Sequence, residues 1–193
     1  ALPHVMADLS VPASTAQWLT TVFMLTMAVV IPLTGFVLQR FASRAVFAGA
    51  LLLFTAGTLL AALAPAFGVL VAARALQAAG TAVVLPLLTT TILTFVPVQR
   101  RGTVFGLVSV VISVAPAVGP TLSGVILSAF GWRAVFVAVL PVAVLALGLG
   151  LVLVRDIGTP RPLPLDLPSV LLSATAFGAL IFGLSSIGES TEG

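Results

Sequence analysis

Residues 101–133 read RGTVFGLVSVVISVAPAVGPTLSGVILSAFGWR, in which 31 uncharged residues separate Arg101 from Arg133. A helix needs about 20 apolar residues to cross the ~30 Å hydrocarbon layer of a bilayer, so this stretch holds one crossing. The same spacing recurs on either side. Asp8 to Arg40 encloses 31 uncharged residues, Arg44 to Arg74 encloses 29 and Arg74 to Arg100 encloses 25. Arg133 to Arg155 encloses 21, and Asp166 to Glu189 encloses 22. The charges are too sparse for a soluble fold. They punctuate a series of membrane spans.

Composition agrees. Hydrophobic residues make up 60% of the 193, and charged ones only 7%, against about 25% in a soluble domain. Eight arginines, no lysine and five acids are dispersed along the chain, so the basic balance is not a nucleic-acid footprint. There are no cysteines, which excludes disulfides and thiolate metal sites, and the single histidine, His4, cannot build a metal cluster alone. No serine–histidine–acid set, metal-ligand spacing or phosphate-binding loop is present. No catalytic residue, metal or cofactor is therefore expected. The chain starts at Ala1 without a signal-peptide pattern and stops at Gly193 after another apolar run, and it reads as a piece of a longer membrane protein.

The expected fold is all-α, a polytopic transmembrane helix bundle. Spans are predicted at 16–38, 45–64, 67–95, 103–127, 134–154 and 169–187, with 1–9 as the exit of an earlier helix. Residues 1–154 form the first unit. The stretch 155–168, RDIGTPRPLPLDLP, holds four prolines and four charges; proline neither extends a helix nor donates a backbone N–H, so this is the linker. Residues 169–193 then supply one more span and the start of the loop beyond it. Arg40, Arg44, Arg100, Arg101, Arg155 and Arg161 fall on alternate connections, and only Arg133 falls on the others. That asymmetry places the six-arginine side in the cytoplasm.

Candidate functional residues are those that membrane helices rarely carry. Pro32, Pro86, Pro116, Pro120 and Pro141 interrupt spans, which a bundle tolerates when neighbours satisfy the freed carbonyls. Ala115, Gly119 and Ser123 recur every four residues on one face, a pattern for close helix packing. Arg74 lies about six residues past Gly68, roughly 9 Å into its span. Such a charge either marks a pathway or buried partner or snorkels back to the interface, and spacing leaves both open. Gln77 and Gly80 follow near the same face. Asp8 and His4 read as interfacial, and Trp18, Phe130 and Trp132 as interfacial aromatic anchors. Thr89, Thr90 and Thr91 are expected to bond back to their own helix.

Five stretches, in order, resemble the major facilitator superfamily and within it the 14-helix drug:proton antiporters. ALPHVMADL (1–9) with QWLTTVFML (17–25) resembles the end of the first helix and the start of the second. GFVLQRFASRAVF (35–47) is similar to the cytoplasmic loop motif, with Gln39 where an aspartate is usual and Ala42 where a glycine is usual; its Gln-Arg-Phe form resembles the lincomycin-type efflux branch. LVAARALQAAGTA (70–82) resembles the fourth-helix motif, APAVGPTLSG (115–124) the antiporter motif of the fifth, and PLDLPSVLL (164–172) the start of the additional seventh helix.

The resemblance implies an N-terminal half of a multidrug efflux antiporter in the bacterial inner membrane, exchanging protons for lipophilic small molecules by alternating access with a missing C-terminal half. Arg74, Gln77 and Gly80 would then serve proton coupling. Ala115, Gly119, Pro120 and Gly124 would make a close, bent helix contact, and Gly35, Gln39, Arg40 and Arg44 would form the cytoplasmic hinge. Without the partner half, the surfaces around Ala115, Gly119 and Arg74 are expected to face lipid or another copy. Two other readings are an exporter of one specific metabolite or siderophore and a non-transporting membrane scaffold or sensor.

Overall fold

The computed structural model describes residues 2–154, together with 156, 168, 172, 175, 176, 178–180 and 183. Among residues 2–154 six helices follow one another: α1 Leu2–Leu9, α2 Ala13–Arg40, α3 Ser43–Ala62, α4 Phe67–Phe95, α5 Val98–Phe130 and α6 Trp132–Leu153. Among the described residues, α2 to α6 are each long and apolar enough to cross a membrane. The predicted linker lies outside the described residues except at 156 and 168. Most of the expected seventh span also lies outside them; those of its residues that are described are helical.

Helix α4 has the predicted bounds. Helices α2 and α5 run past both ends of their predicted windows, while α3 and α6 each start two residues early and stop short of the predicted end, at Ala62 and Leu153. Pro12 sets the start of α2 and Pro97 the start of α5, positions where a missing N–H costs nothing. Arg100 and Arg101 therefore sit in the first turn of α5, not in a loop. Only Phe41 and Ala42 separate α2 from α3, and Gly131 alone separates α5 from α6. That one-residue corner needs the left-handed conformation of Gly131, φ 80°, which a side chain would disfavour.

Helices α3 and α4 form the spine. Gly57 of α3 lies so close to α4 that an added Cβ would stand 2.7 Å from the Ala73 carbonyl oxygen and 2.8 Å from the Gln77 nitrogen. Gly80 does the reverse, its bare Cα facing the Ala50 carbonyl and the Phe54 backbone nitrogen of α3. The two glycines bring the antiparallel backbones together at two levels, the device expected where lipid supplies no hydrophobic drive between helices. Helix α2 lies against α4, and α6 against α3. The densest core joins Val5, Leu19, Ala61, Ala64, Leu70, Ala73 and Trp132, at the end of the bundle where α1 finishes and α6 begins.

Helix α5 stands apart: none of its residues is buried.

Candidate functional site: a buried arginine between three helices

Arg74 does not snorkel. Its guanidinium lies over the Phe23 ring of α2, with Cζ 4.2 Å from the centroid, inside the range of a cation–π interaction. Its Nε donates to the Leu19 carbonyl oxygen at 3.5 Å, a long bond, and its Nη1 donates to Gln77 Oε1 at 3.2 Å. Gln77 Nε2 then donates to Thr58 Oγ1 at 2.8 Å, and Thr58 donates its hydroxyl proton to the Phe54 carbonyl oxygen at 2.7 Å.

The chain of donors fixes its own polarity. Because the Thr58 proton is committed to Phe54, that oxygen can only accept, so the Gln77 amide nitrogen faces α3 and its oxygen faces Arg74. Gln77 and Thr58 are both buried, at 4% and 0% exposure. Buried polar groups are costly unless paired, and here the two side chains pair with each other. Three helices thus hold one cation: α2 by ring and carbonyl, α4 by Gln77, and α3 through Thr58. The surface around Arg74 therefore does not lie open to lipid, because the Phe23 side of α2 covers it.

Below this arginine a cleft of about 510 Å³ opens between α2 and α4, lined by Met27, Ile31, Thr81, Leu85, Pro86 and Thr90 among others. Thr81 Oγ1 donates to the Gln77 carbonyl, so the wall of the cleft begins one turn past the relay. Thr89 and Thr90, also on its wall, donate to Leu85 and Pro86 carbonyls, and Thr91 donates to Leu87. This back-bonding is the pattern expected from sequence, and it leaves the cleft without a free hydroxyl donor from these threonines.

Gly80 does not make room for Arg74; it faces α3 and sets the helix distance that lets Gln77 reach Thr58. The antiporter-motif residues are not brought together with anything else. Ala115, Gly119, Pro120 and Gly124 are exposed, and a Cβ on Gly119 or Gly124 would meet nothing within 4 Å. The close contact expected of that face is not made among the described residues.

In the loop motif, Gln39 Nε2 bonds to the Gly35 carbonyl of its own helix at 3.1 Å, and the Arg40 guanidinium stands 6.0 Å from the Phe36 ring. Among the described residues the carboxylate at this end is Asp156, whose Oδ1 accepts from the Arg44 backbone N–H at 3.1 Å. It occupies the positive start of α3, where Ala42 offers no side-chain cap.

At the opposite end Asp8 takes hydrogen bonds from Arg133 Nη1 at 2.5 Å and Trp132 Nε1 at 3.1 Å, while Arg133 Nη2 bonds to the Ala64 carbonyl at 3.0 Å. The Arg133 and Trp132 hydrogen bonds hold the Asp8 carboxyl below its ordinary value. This clasp joins α1, the end of α3 and the start of α6. Trp132 is consequently buried, at 4% exposure, and is not the interfacial anchor its neighbours suggested. Trp18 and Phe130 are exposed as expected.

Thr58, Phe23, Gly57 and Asp156 were not singled out from sequence. The polar run TAGT at 55–58 inside an otherwise apolar span was the one available signal for the α3 partners.

The Major Facilitator Superfamily profile matches residues 1–188. The chain is 49% identical over 189 residues to the uncharacterized MFS-type transporter YcnB of Bacillus subtilis, covering 98% of this chain and 40% of that one. It is 40% identical over 193 residues to the lincomycin resistance protein LmrB of the same organism, covering 100% of this chain and 40% of LmrB. A crystal structure of the peptide transporter POT (E310Q mutant) in complex with alafosfalin shares the fold at a TM-score of 0.65 and 19% identity, over 91% of this chain and 38% of that one. The chain thus spans about 40% of the length of these curated relatives, and it is a multi-pass membrane protein of a transporter family, not an enzyme. The chain belongs to the Major Facilitator Superfamily.

Proposed function

We propose that this chain is the N-terminal part of a 14-helix exporter that exchanges inward protons for outward lipophilic drugs or antibiotics across a bacterial cell membrane. In this reading residues 1–154 are the first six-helix half with its first helix truncated. Residues 155–168 link it to the additional helix at 169–193, and a C-terminal half completes the cavity. The chain's relation to proteins named for lincomycin and multidrug resistance supports a drug-sized substrate.

The carrying observation is Arg74, held inside a membrane-length helix by Phe23, Gln77 and the Leu19 carbonyl. A charge at such depth is costly and marks a functional pathway by default. Its relay continues into a cleft whose walls are apolar, which suits a lipophilic substrate. The spans α2 to α6 carry no acid of their own, so in this reading the proton is taken by a group of the full-length protein outside them. A change of charge there would alter what Arg74 pairs with, and the α2–α4 cleft would feel it through Gln77 and Thr81. Rocking of two halves about a central site supplies the alternation.

The test is Arg74→Ala and Arg74→Lys in the full-length protein. Substrate binding should persist in both, while proton-driven efflux is lost in the alanine variant and only partly restored by lysine. Lysine lacks the planar fork that serves Gln77 and Leu19 at once and stacks on Phe23. Full efflux from the alanine variant would overturn the reading.

A further inference from the structure

A second cavity, of about 420 Å³, lies at the opposite end of α4 from Arg74, between α3, α4 and α6. Phe47, Val84, Leu87, Leu88, Phe95 and Leu153 line it. Its one hydroxyl, on Thr91, is committed to the Leu87 carbonyl, so the wall offers no free donor to a polar occupant. Phe47 closes one side by packing its ring against bare Gly150. The groove is apolar and open on one side, and left unfilled it forfeits dispersion contacts along its lining.

Its length is informative. From Val84 to Phe95 is 11 residues along α4, about 16 Å at ~1.5 Å per residue. One leaflet contributes half of the ~30 Å hydrocarbon core, so the groove is as long as one leaflet is deep. Its mouth is basic. Arg44 lies three residues before Phe47 at the start of α3, and Arg100 five residues after Phe95; both are exposed. Arg101 is not available, because its guanidinium caps α4 through the Leu93 and Val96 carbonyls at 2.6 and 3.0 Å. Asp156, the acid at this end among the described residues, commits Oδ1 to the Arg44 backbone N–H, and the Arg44 side chain is exposed.

We propose that this groove binds one acyl chain of an anionic phospholipid, whose phosphate is held by Arg44 and Arg100. Apolar length and cationic mouth coincide in one place, and an anionic lipid is the membrane component that matches both. The inference stands apart from proton coupling, since no residue of the Arg74 relay takes part.

Native mass spectrometry of the delipidated full-length protein, titrated with phosphatidylglycerol or phosphatidylcholine of identical tails, tests it. Phosphatidylglycerol should bind at least tenfold more tightly. The double variant R44Q/R100Q should bring the ratio close to one, since each arginine near an anionic headgroup contributes about fivefold. Val84→Trp and Leu88→Trp, which fill the groove from neighbouring turns, should each lower phosphatidylglycerol binding about tenfold, while Leu59→Trp on an exposed face should not. Thermal melting of the two filling variants identifies the one that remains folded, and that one decides. Equal affinity for the two lipids in the parent protein, or a preference that survives R44Q/R100Q, would overturn the headgroup assignment. Unchanged binding in a folded filling variant would show that another segment or partner occupies the groove.

Discussion

Gln77 Nε2 and Thr58 Oγ1 meet at 2.8 Å across the α3–α4 contact, and this bond decides which way the Gln77 amide faces Arg74. It exists because Gly57 and Gly80 bring the two helices close enough for a glutamine to reach a threonine without solvent between them. The cation is therefore coupled to α3 through Gln77.

Replacing Thr58 with valine keeps the shape and removes the acceptor. The buried Gln77 amide is then left unpaired, at a cost of about 1–3 kcal/mol. Thr58→Val should lower the melting temperature of the purified protein and slow proton-driven efflux, and Thr58→Ser should restore both. An unaltered melting temperature in the valine variant would mean that Gln77 has found another acceptor.

Two glycine substitutions separate packing within this unit from packing elsewhere. Gly80→Ala forces a methyl group onto the Ala50 carbonyl and the Phe54 nitrogen, backbone atoms that cannot rotate away. It should destabilise the chain by about 1–3 kcal/mol. A Cβ at Gly119 would meet nothing within 4 Å, so Gly119→Leu should leave the insertion and melting of residues 1–193 unchanged. In the full-length protein the same leucine should abolish efflux if this face of α5 packs against the remainder of the transporter. Melting curves and efflux assays on the pair distinguish the two roles.

The clasp at Asp8 carries its own pH signature. Its carboxyl is held below the ordinary value by Arg133 first and Trp132 second. A depressed carboxyl contributes stability above its unfolded value and loses it as pH falls through the folded one. The clasp should thus persist across neutral and mildly acidic pH and open only below about pH 4. Trp132 fluorescence in a Trp18→Phe background reports it: emission should hold steady from pH 8 to 5 and shift to the red only at lower pH. Asp8→Asn should remove that acid transition. A shift centred near pH 6 would assign the change to another group.

Sidedness is accessible because the chain contains no native cysteine. Single cysteines at positions 66 and 130 should react with an impermeant reagent in intact cells, and a cysteine at position 100 should react only after permeabilisation. Reaction at 100 in intact cells would invert the orientation.

The bundle was legible in sequence because uncharged runs of span length between arginines admit little else. The α4 bounds, the alternation of ends and the threonine back-bonds all follow from local pattern. Contacts between helices did not follow. Trp132 looked like a belt residue because spacing cannot reveal that Asp8, 124 positions earlier, accepts from its indole. Gly80 was assigned to the arginine face by its i+6 offset, whereas its bare Cα serves the opposing backbone of α3. Thr58 alone carries no signal in the sequence, because one hydroxyl in an apolar span is usually satisfied within its own helix. Thr58 is so satisfied, and it still accepts from Gln77. The antiporter-motif stripe was read correctly as small and aligned, yet periodicity could not say whether a partner lies within these residues.

The most direct test of the account is proton release on adding substrate to the detergent-purified full-length protein, followed with a pH indicator in weak buffer. The parent protein should release protons on binding a lipophilic drug, and Arg74→Ala should bind the drug yet release none. Release of normal size and affinity from the alanine variant would contradict the role given to Arg74 and to the Gln77–Thr58 relay that holds it.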